Sequence, residues 1–200
     1  MADKSRNDAE PPPPHEERRK KRMKWAAYIA AFAVFQVAVI LVFVLVVMKV
    51  RTPKFRVGAI RIQSLDAART PSPSFDASFV APIRVKNGNF GPYKYAAAAV
   101  NFTYGGVQVG HVTIPKSKAH FMSTKKIDMN VTLSSASLPG SANSTLKSEL
   151  SSGVLTLRSE GTLSGKVELM LIFKKKKSTR MNCTMEINVS PKTLKSVTCE

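Results

Sequence analysis

A chain of 200 residues with 31 Lys and Arg against 13 Asp and Glu carries a formal net charge of +18, is 44% hydrophobic and has two cysteines. That length holds one ordinary domain and an extra segment rather than two full domains. The apolar fraction excludes a disordered basic tail, and two cysteines exclude a disulfide-dense scaffold or a Cys-rich metal site.

Residues 1–24 form a basic tail in which Pro11 to Pro14 make a stiff, extended polyproline stretch. From Trp25 to Met48 the chain reads WAAYIAAFAVFQVAVILVFVLVVM, 24 residues without charge, Gly or Pro. At about 1.5 Å rise per residue, such a helix spans the roughly 30 Å hydrocarbon core of a bilayer. A buried core helix needs a polar stripe, which this run lacks, and a cleaved signal peptide has an apolar stretch of only about 7–15 residues. The expectation is an uncleaved signal anchor over 25–48, with Trp25 and Tyr28 at the headgroup layer. Charge then divides unevenly: residues 1–24 carry +3, the apolar run none, and residues 49–200 hold 23 basic against 8 acidic residues, net +15. Arg18, Arg19, Lys20, Lys21, Arg22 and Lys24 are denser than Lys49, Arg51, Lys54 and Arg56 on the other flank, which favours a cytosolic N-terminus.

Residues 49–200 read as a stalk and one domain of alternating strands: 55–62, 78–87, 94–104, 107–114 and 125–133, then 154–158, 165–173, 179–189 and a short last strand holding Val197 and Cys199. Gly105-Gly106 marks a tight hairpin, and Asn87-Gly88 another turn. Residues 63–77, with Pro71 and Pro73, read as a long loop, and 143–152 as a short helix with a polar N-cap. Many short strands with few helical patterns predict an all-β fold, an antiparallel sandwich.

Asn-x-Ser/Thr triplets begin at Asn101, Asn130, Asn143, Asn182 and Asn188. Chance would place about one in a chain of this composition. Pro191 disfavours the last, leaving Asn101, Asn130, Asn143 and Asn182 as expected glycosylation sites. Strand alternation turns Asn101, Asn130 and Asn182 away from the apolar face. Cys183 and Cys199 both lie on apolar faces across a Ser190-Pro191 turn. Their alternatives are a disulfide, which requires an oxidising compartment, and two buried thiols. With the sequons, the cysteines place the C-terminal part outside the cytosol.

The basic N-terminal segment, the single apolar helix, the stretch FDASFVAPIRVKNGNF, the stretch YKYAAAAVNFTYGGVQVGHVTIPKSKAHFMSTKKIDMNVTL and the closing CTMEINV with a second Cys together resemble plant late embryogenesis abundant type-2 proteins. The chain is more narrowly similar to their membrane-anchored, hairpin-induced-like branch, also labelled hydroxyproline-rich glycoproteins. The resemblance spans about residues 18–200, and Asn87-Gly88-Asn89 stands where many relatives carry Asn-Pro-Asn. It implies an immunoglobulin- or fibronectin-like β-sandwich outside the plasma membrane, a role in pathogen defence or abiotic stress, and no enzymatic activity.

The residues themselves offer no catalytic pattern: His15, His111 and His120 are scattered, and no Gly-x-Ser-x-Gly or phosphate-binding glycine loop occurs. No cofactor or metal is expected. Lys174, Lys175, Lys176 and Lys177, with Arg180 just after, read as a basic hairpin loop that is either a solvated turn or a contact for an anionic surface. The expected protein is a non-enzymatic single-pass plasma-membrane glycoprotein whose basic domain lies in the apoplast. Its partners are the bilayer through residues 25–48 and acidic cell-wall polysaccharide or membrane proteins; nucleic acid is excluded by compartment. The rivals are a membrane-anchored lipid-binding module facing the cytosol and a passive desiccation protectant.

Overall fold

The computed structural model describes residues 15–47, 49–169 and 173–200. The polyproline stretch, Met48 and part of the expected strand 165–173 therefore lie outside the described residues. The chain forms two compact units, dividing after Val46. The first holds all but the last residue of α1, His15–Val47, which starts ten residues before the expected anchor because the basic segment 18–24 is helical too. Lys, Arg and Met are good helix formers, so the apolar helix extends back through them at little cost. Within Arg18–Val46 it holds a stretch apolar enough, in a helix long enough, to cross a membrane.

The second unit is predominantly β. Its strands are β1 (Lys54–Val57), β2 (Arg61–Ala68), β3 (Ser74–Lys86), β4 (Tyr93–Tyr95), β5 (Ala98–Tyr104), β6 (Val107–Ile114), β7 (Ser117–Ala119), β8 (Thr124–Ser134), β9 (Val154–Leu169), β10 (Phe173–Asn188) and β11 (Thr193–Cys199), with α2 at Asn143–Ser152. All described pairings are antiparallel. In one sheet β3 is central, with β1 and β2 on one side and β8 on the other. In the other the order runs β11–β10–β9, then β5 and β4 side by side along β9, then β6 and β7 outside them. Phe79 of the first sheet meets Phe102 of the second edge to face at 5.7 Å, and Phe75 meets Tyr104 at 5.9 Å. These rings, with Ile83, Leu133, Leu157 and Met185, fill the space between the sheets. Burying each such side chain contributes about 1.5–3 kcal/mol, which makes this interface the main source of stability.

Several boundaries depart from the sequence reading. The expected strand 55–62 is two strands, and the long loop 63–77 shrinks to residues 69–73, because Leu65, Phe75 and Ala77 are core residues that carry β2 and β3 into it. The gap between β1 and β2 lies opposite Pro82: Gly58 N–H donates to the Pro82 carbonyl at 2.7 Å, so the nitrogen of Pro82 faces the same neighbour with no proton to offer. The expected strand 94–104 breaks at Ala96-Ala97 into β4 and β5. Segments 154–158 and 165–169 join as β9 because Ser159, Gly161 and Leu163 keep the inward alternation between them. The short helix falls where expected but lacks a polar cap: Ala142 occupies the N-cap and makes no side-chain bond.

Candidate functional site

The lysine run is not a loop. Lys174, Lys175, Lys176 and Lys177 lie in β10, paired with Glu168, Val167, Lys166 and Gly165 of β9. Strand alternation therefore divides the run: Lys174, Lys176 and Arg180 project from the outer face of the sheet, while Lys175 and Lys177 project from the side that further along buries Thr179 and Met181.

What the register assembles is a row that the linear sequence does not display. Lys176 pairs with Lys166, Lys166 with Lys94, and Lys94 with Lys118, so β10, β9, β4 and β7 each contribute one exposed lysine to the same line across the outer face. With about 4.8 Å between strands, the row runs about 14 Å. Among the described residues, ion pairs reach only Lys94 of the four, which meets Glu168 at 2.7 Å. The Lys94 hydrogen bond, reinforced by the charges of Lys94, Lys174 and Lys166, holds the Glu168 carboxyl below the ordinary carboxylate range.

A shallow groove of about 620 Å³ follows the row, bounded by Lys94, Lys166, Lys176 and Lys177 and floored by Gly165. A Cβ at Gly165 would stand 2.7 Å from the buried Tyr93 ring and against the Lys94 carbonyl, so only glycine lets β4 and its Tyr93 pack this closely under β9. Beneath it the Tyr93 hydroxyl donates to the carbonyls of Lys177 at 3.0 Å and Leu163 at 3.2 Å, tying β4 to β9 and, beyond it, to β10. Burial, with a smaller contribution from Tyr95, pushes that phenol up to about 12. The outer face of the other sheet carries a second basic field: Arg56 pairs with Arg84 and Arg84 with Lys126, beside Lys54 paired with Lys86.

Asn87 and Asn89, read from the sequence as a turn, are buried polar hubs at the end of the domain nearest these lysines. The Asn87 amide donates to the carbonyls of Gly91 at 2.7 Å, Ala119 at 3.2 Å and His120 at 2.9 Å. Its oxygen accepts from the Asn89 N–H at 3.1 Å and the Asn89 amide at 2.9 Å. Asn89 in turn holds the incoming chain, accepting from Arg51 N–H at 2.6 Å and donating to the Arg51 carbonyl at 2.8 Å. A polar pair inside an Asn-Gly-Asn turn was the available signal, because an exposed turn has no use for two amides with satisfied partners.

The sequon asparagines Asn101, Asn130 and Asn182 are exposed, and Asn143 is half-buried at the start of α2. Asn101 and Asn182 both pair with Glu160, so they share one row on the same outer face as the lysines. Cys183 and Cys199 face each other across β10 and β11 and form a disulfide, which resolves the alternatives left open by the sequence. Among the described residues, no group of three His, Cys, Asp or Glu side chains is placed to hold a metal ion.

No family model matches the chain. Among curated proteins, late embryogenesis abundant protein At1g64065 of Arabidopsis thaliana is 26% identical over 156 residues, covering 76% of this chain and 72% of its own. Among solved structures, one ascribed to the late embryogenesis abundant proteins, At2g46140.1, aligns with a TM-score of 0.39 at 12% identity over 85% of this chain and 90% of that one. AT1g01470 of Arabidopsis thaliana aligns with a TM-score of 0.35 at 15% identity over 66% and 82%. The sequence match supports the resemblance of this chain to late embryogenesis abundant proteins over most of its length.

Proposed function

We propose that this chain is a non-enzymatic, single-pass plasma-membrane protein of the hairpin-induced-like branch, with its N-terminus in the cytosol and its basic domain in the apoplast. In this reading the two sheets form an immunoglobulin- or fibronectin-like sandwich that contacts acidic wall polysaccharide and serves defence or abiotic stress responses. The observation that carries it is the row Lys176, Lys166, Lys94 and Lys118. Like charges set side by side on a sheet cost the fold stability, whereas a polyanion laid across the strands meets all four at once and releases their counterions.

Three further features support the reading. The apolar α1 suits an anchor, the Cys183–Cys199 bridge suits an oxidising compartment, and the exposed Asn101, Asn130 and Asn182 are accessible for glycosylation there. The similarity to a late embryogenesis abundant protein supports the link to stress. The test uses the full chain in nanodiscs and immobilised polygalacturonate. Binding is expected to weaken steeply with added salt and to be largely lost when Lys94, Lys166 and Lys176 are together changed to Ser. Absent or salt-insensitive binding overturns the proposal.

A further inference from the structure

Among the described residues outside α1, the exposed large hydrophobic side chains are Phe90, Phe121, Met122 and Phe173, each more than half accessible. They are far apart in sequence yet belong to one end of the domain. The Asn87 amide bridges the loop after β3 to the loop after β7, and Met122 N–H donates to the Asn89 carbonyl at 3.1 Å, which joins the segments of Phe90, Phe121 and Met122. Glu168 N–H donates to the Pro92 carbonyl at 3.0 Å, and Gly91 lies so close to the Glu168 carbonyl that no side chain fits there. This brings in the end of β9, where Leu169 pairs with Phe173.

The segments around these four residues are basic. Arg51, Lys86, Lys118, Lys125 and Lys174 are exposed beside them, and the acid of the neighbourhood, Glu168, is engaged by Lys94. The same loops hold the chain as it arrives, through the paired hydrogen bonds of Asn89 with Arg51. Only three residues lie between Val47, the last of α1, and Arg51, a covalent reach of at most about 14 Å. The sequons avoid this end: Asn101, Asn130 and Asn182 lie in mid-strand, and Asn143 opens α2.

We infer that this end of the domain is a second membrane contact, resting on the anchor reading above. Phe90, Phe121, Met122 and Phe173 enter the headgroup layer of the leaflet from which the anchor emerges, and Arg51, Lys86, Lys125 and Lys174 meet its anionic headgroups. Four apolar tips ringed by cations are too small a surface for a stable protein interface of about 800 Å² per partner. They have the composition of an interfacial lipid contact, an apolar wedge with a basic border, and the short tether holds them within reach of the bilayer. Docked this way, both sheets stand upright from the membrane, with the lysine row and the sequons facing the aqueous side.

The experiment uses the full chain reconstituted in phosphatidylcholine vesicles containing phosphatidylserine, with brominated acyl chains as a bilayer quencher and iodide as an aqueous one. Trp25 is the chain's single tryptophan and reports on the anchor. Phe90→Trp and Phe121→Trp, each combined with Trp25→Phe, report on the tips, and Ala136→Trp in the same background reports on the opposite end of the domain. The inference expects both tip tryptophans to be quenched by bromolipid as strongly as Trp25 and shielded from iodide, while position 136 shows the reverse. Tips open to iodide while Trp25 is quenched by bromolipid overturn this inference and leave the anchor intact. Tips shielded from both quenchers overturn it in favour of a covering protein. Failure of bromolipid to quench Trp25 overturns the anchor reading and this inference with it.

Discussion

Replacing Asn87 tests whether one buried amide organises the end of the domain. In Asn87→Ala, the carbonyls of Gly91, Ala119 and His120 lose their donor, and the N–H and amide of Asn89 lose their acceptor. Each buried polar group left unpaired costs about 1–3 kcal/mol. The amide has two protons for three carbonyls and the His120 bond is only part-buried, so two carbonyls and the two Asn89 donors are the groups that count in full. At the low end of that range the loss is roughly 4 kcal/mol, a large part of a typical domain's stability. Asn87→Asp is expected to lose at least as much, because it keeps the acceptor, removes both protons and points a carboxylate at three carbonyls. The assay is urea unfolding of the unit 49–200, followed by circular dichroism, with the slope checked for constancy. A shift below about 0.5 kcal/mol in both variants would refute the reasoning, since that is the size of an ordinary surface substitution.

Removing the bridge with Cys183→Ala and Cys199→Ala, whose separation is 16 residues, is expected to cost about 3 kcal/mol by the loop-closure relation, read from the same urea midpoint. The depressed carboxyl of Glu168 means that its ion pair stabilises the fold above the ordinary carboxylate range and stops doing so as pH falls through the folded value. The difference between wild type and Glu168→Gln is therefore expected to shrink in urea titrations taken from about pH 7 down to about pH 3. Glycosylation is checked on a gel: N-glycosidase is expected to shift the membrane-expressed protein, and changing Asn101, Asn130, Asn143 and Asn182 to Gln is expected to abolish the shift. Lys166→Glu is expected to raise the urea midpoint of the domain and lower its retention on polygalacturonate.

Local pattern made the helix, most strands, the Gly105-Gly106 hairpin and the facing of Cys183 and Cys199 legible, because each depends on alternation or turn chemistry within a few residues. What stayed hidden depends on partners distant in sequence. Four consecutive lysines have poor strand propensity, so they read as a loop; pairing with β9 overrides that preference and moves them into β10. Lys94, Lys118 and Lys166 are unremarkable singly and become a row only through three registers. Pro82 looked compatible with a strand, and so it is, but its missing proton is felt on the neighbouring chain, where β1 and β2 part. Phe90, Phe121 and Met122 come together only through hydrogen bonds between loops distant in sequence, which no local pattern displays.

The lysine row is where the solubility reading and the binding reading part company. A surface designed only to stay soluble intersperses charges of both signs, which removes lateral repulsion without losing hydration. The neighbouring row on this sheet does so: Glu168 pairs with Lys174 and takes the Lys94 ammonium. The row through Lys166 keeps three successive like-charge neighbours at strand spacing, each costing up to about 1 kcal/mol. At that spacing the repulsion lies inside the physiological Debye length of about 8 Å, so salt does not remove it. An acid at position 166 would relieve two of the three contacts, which is why its effects on folding and on polyanion binding should have opposite signs. A charge kept only for solubility gives no such opposition: its replacement would stabilise the fold and leave retention on polygalacturonate unchanged.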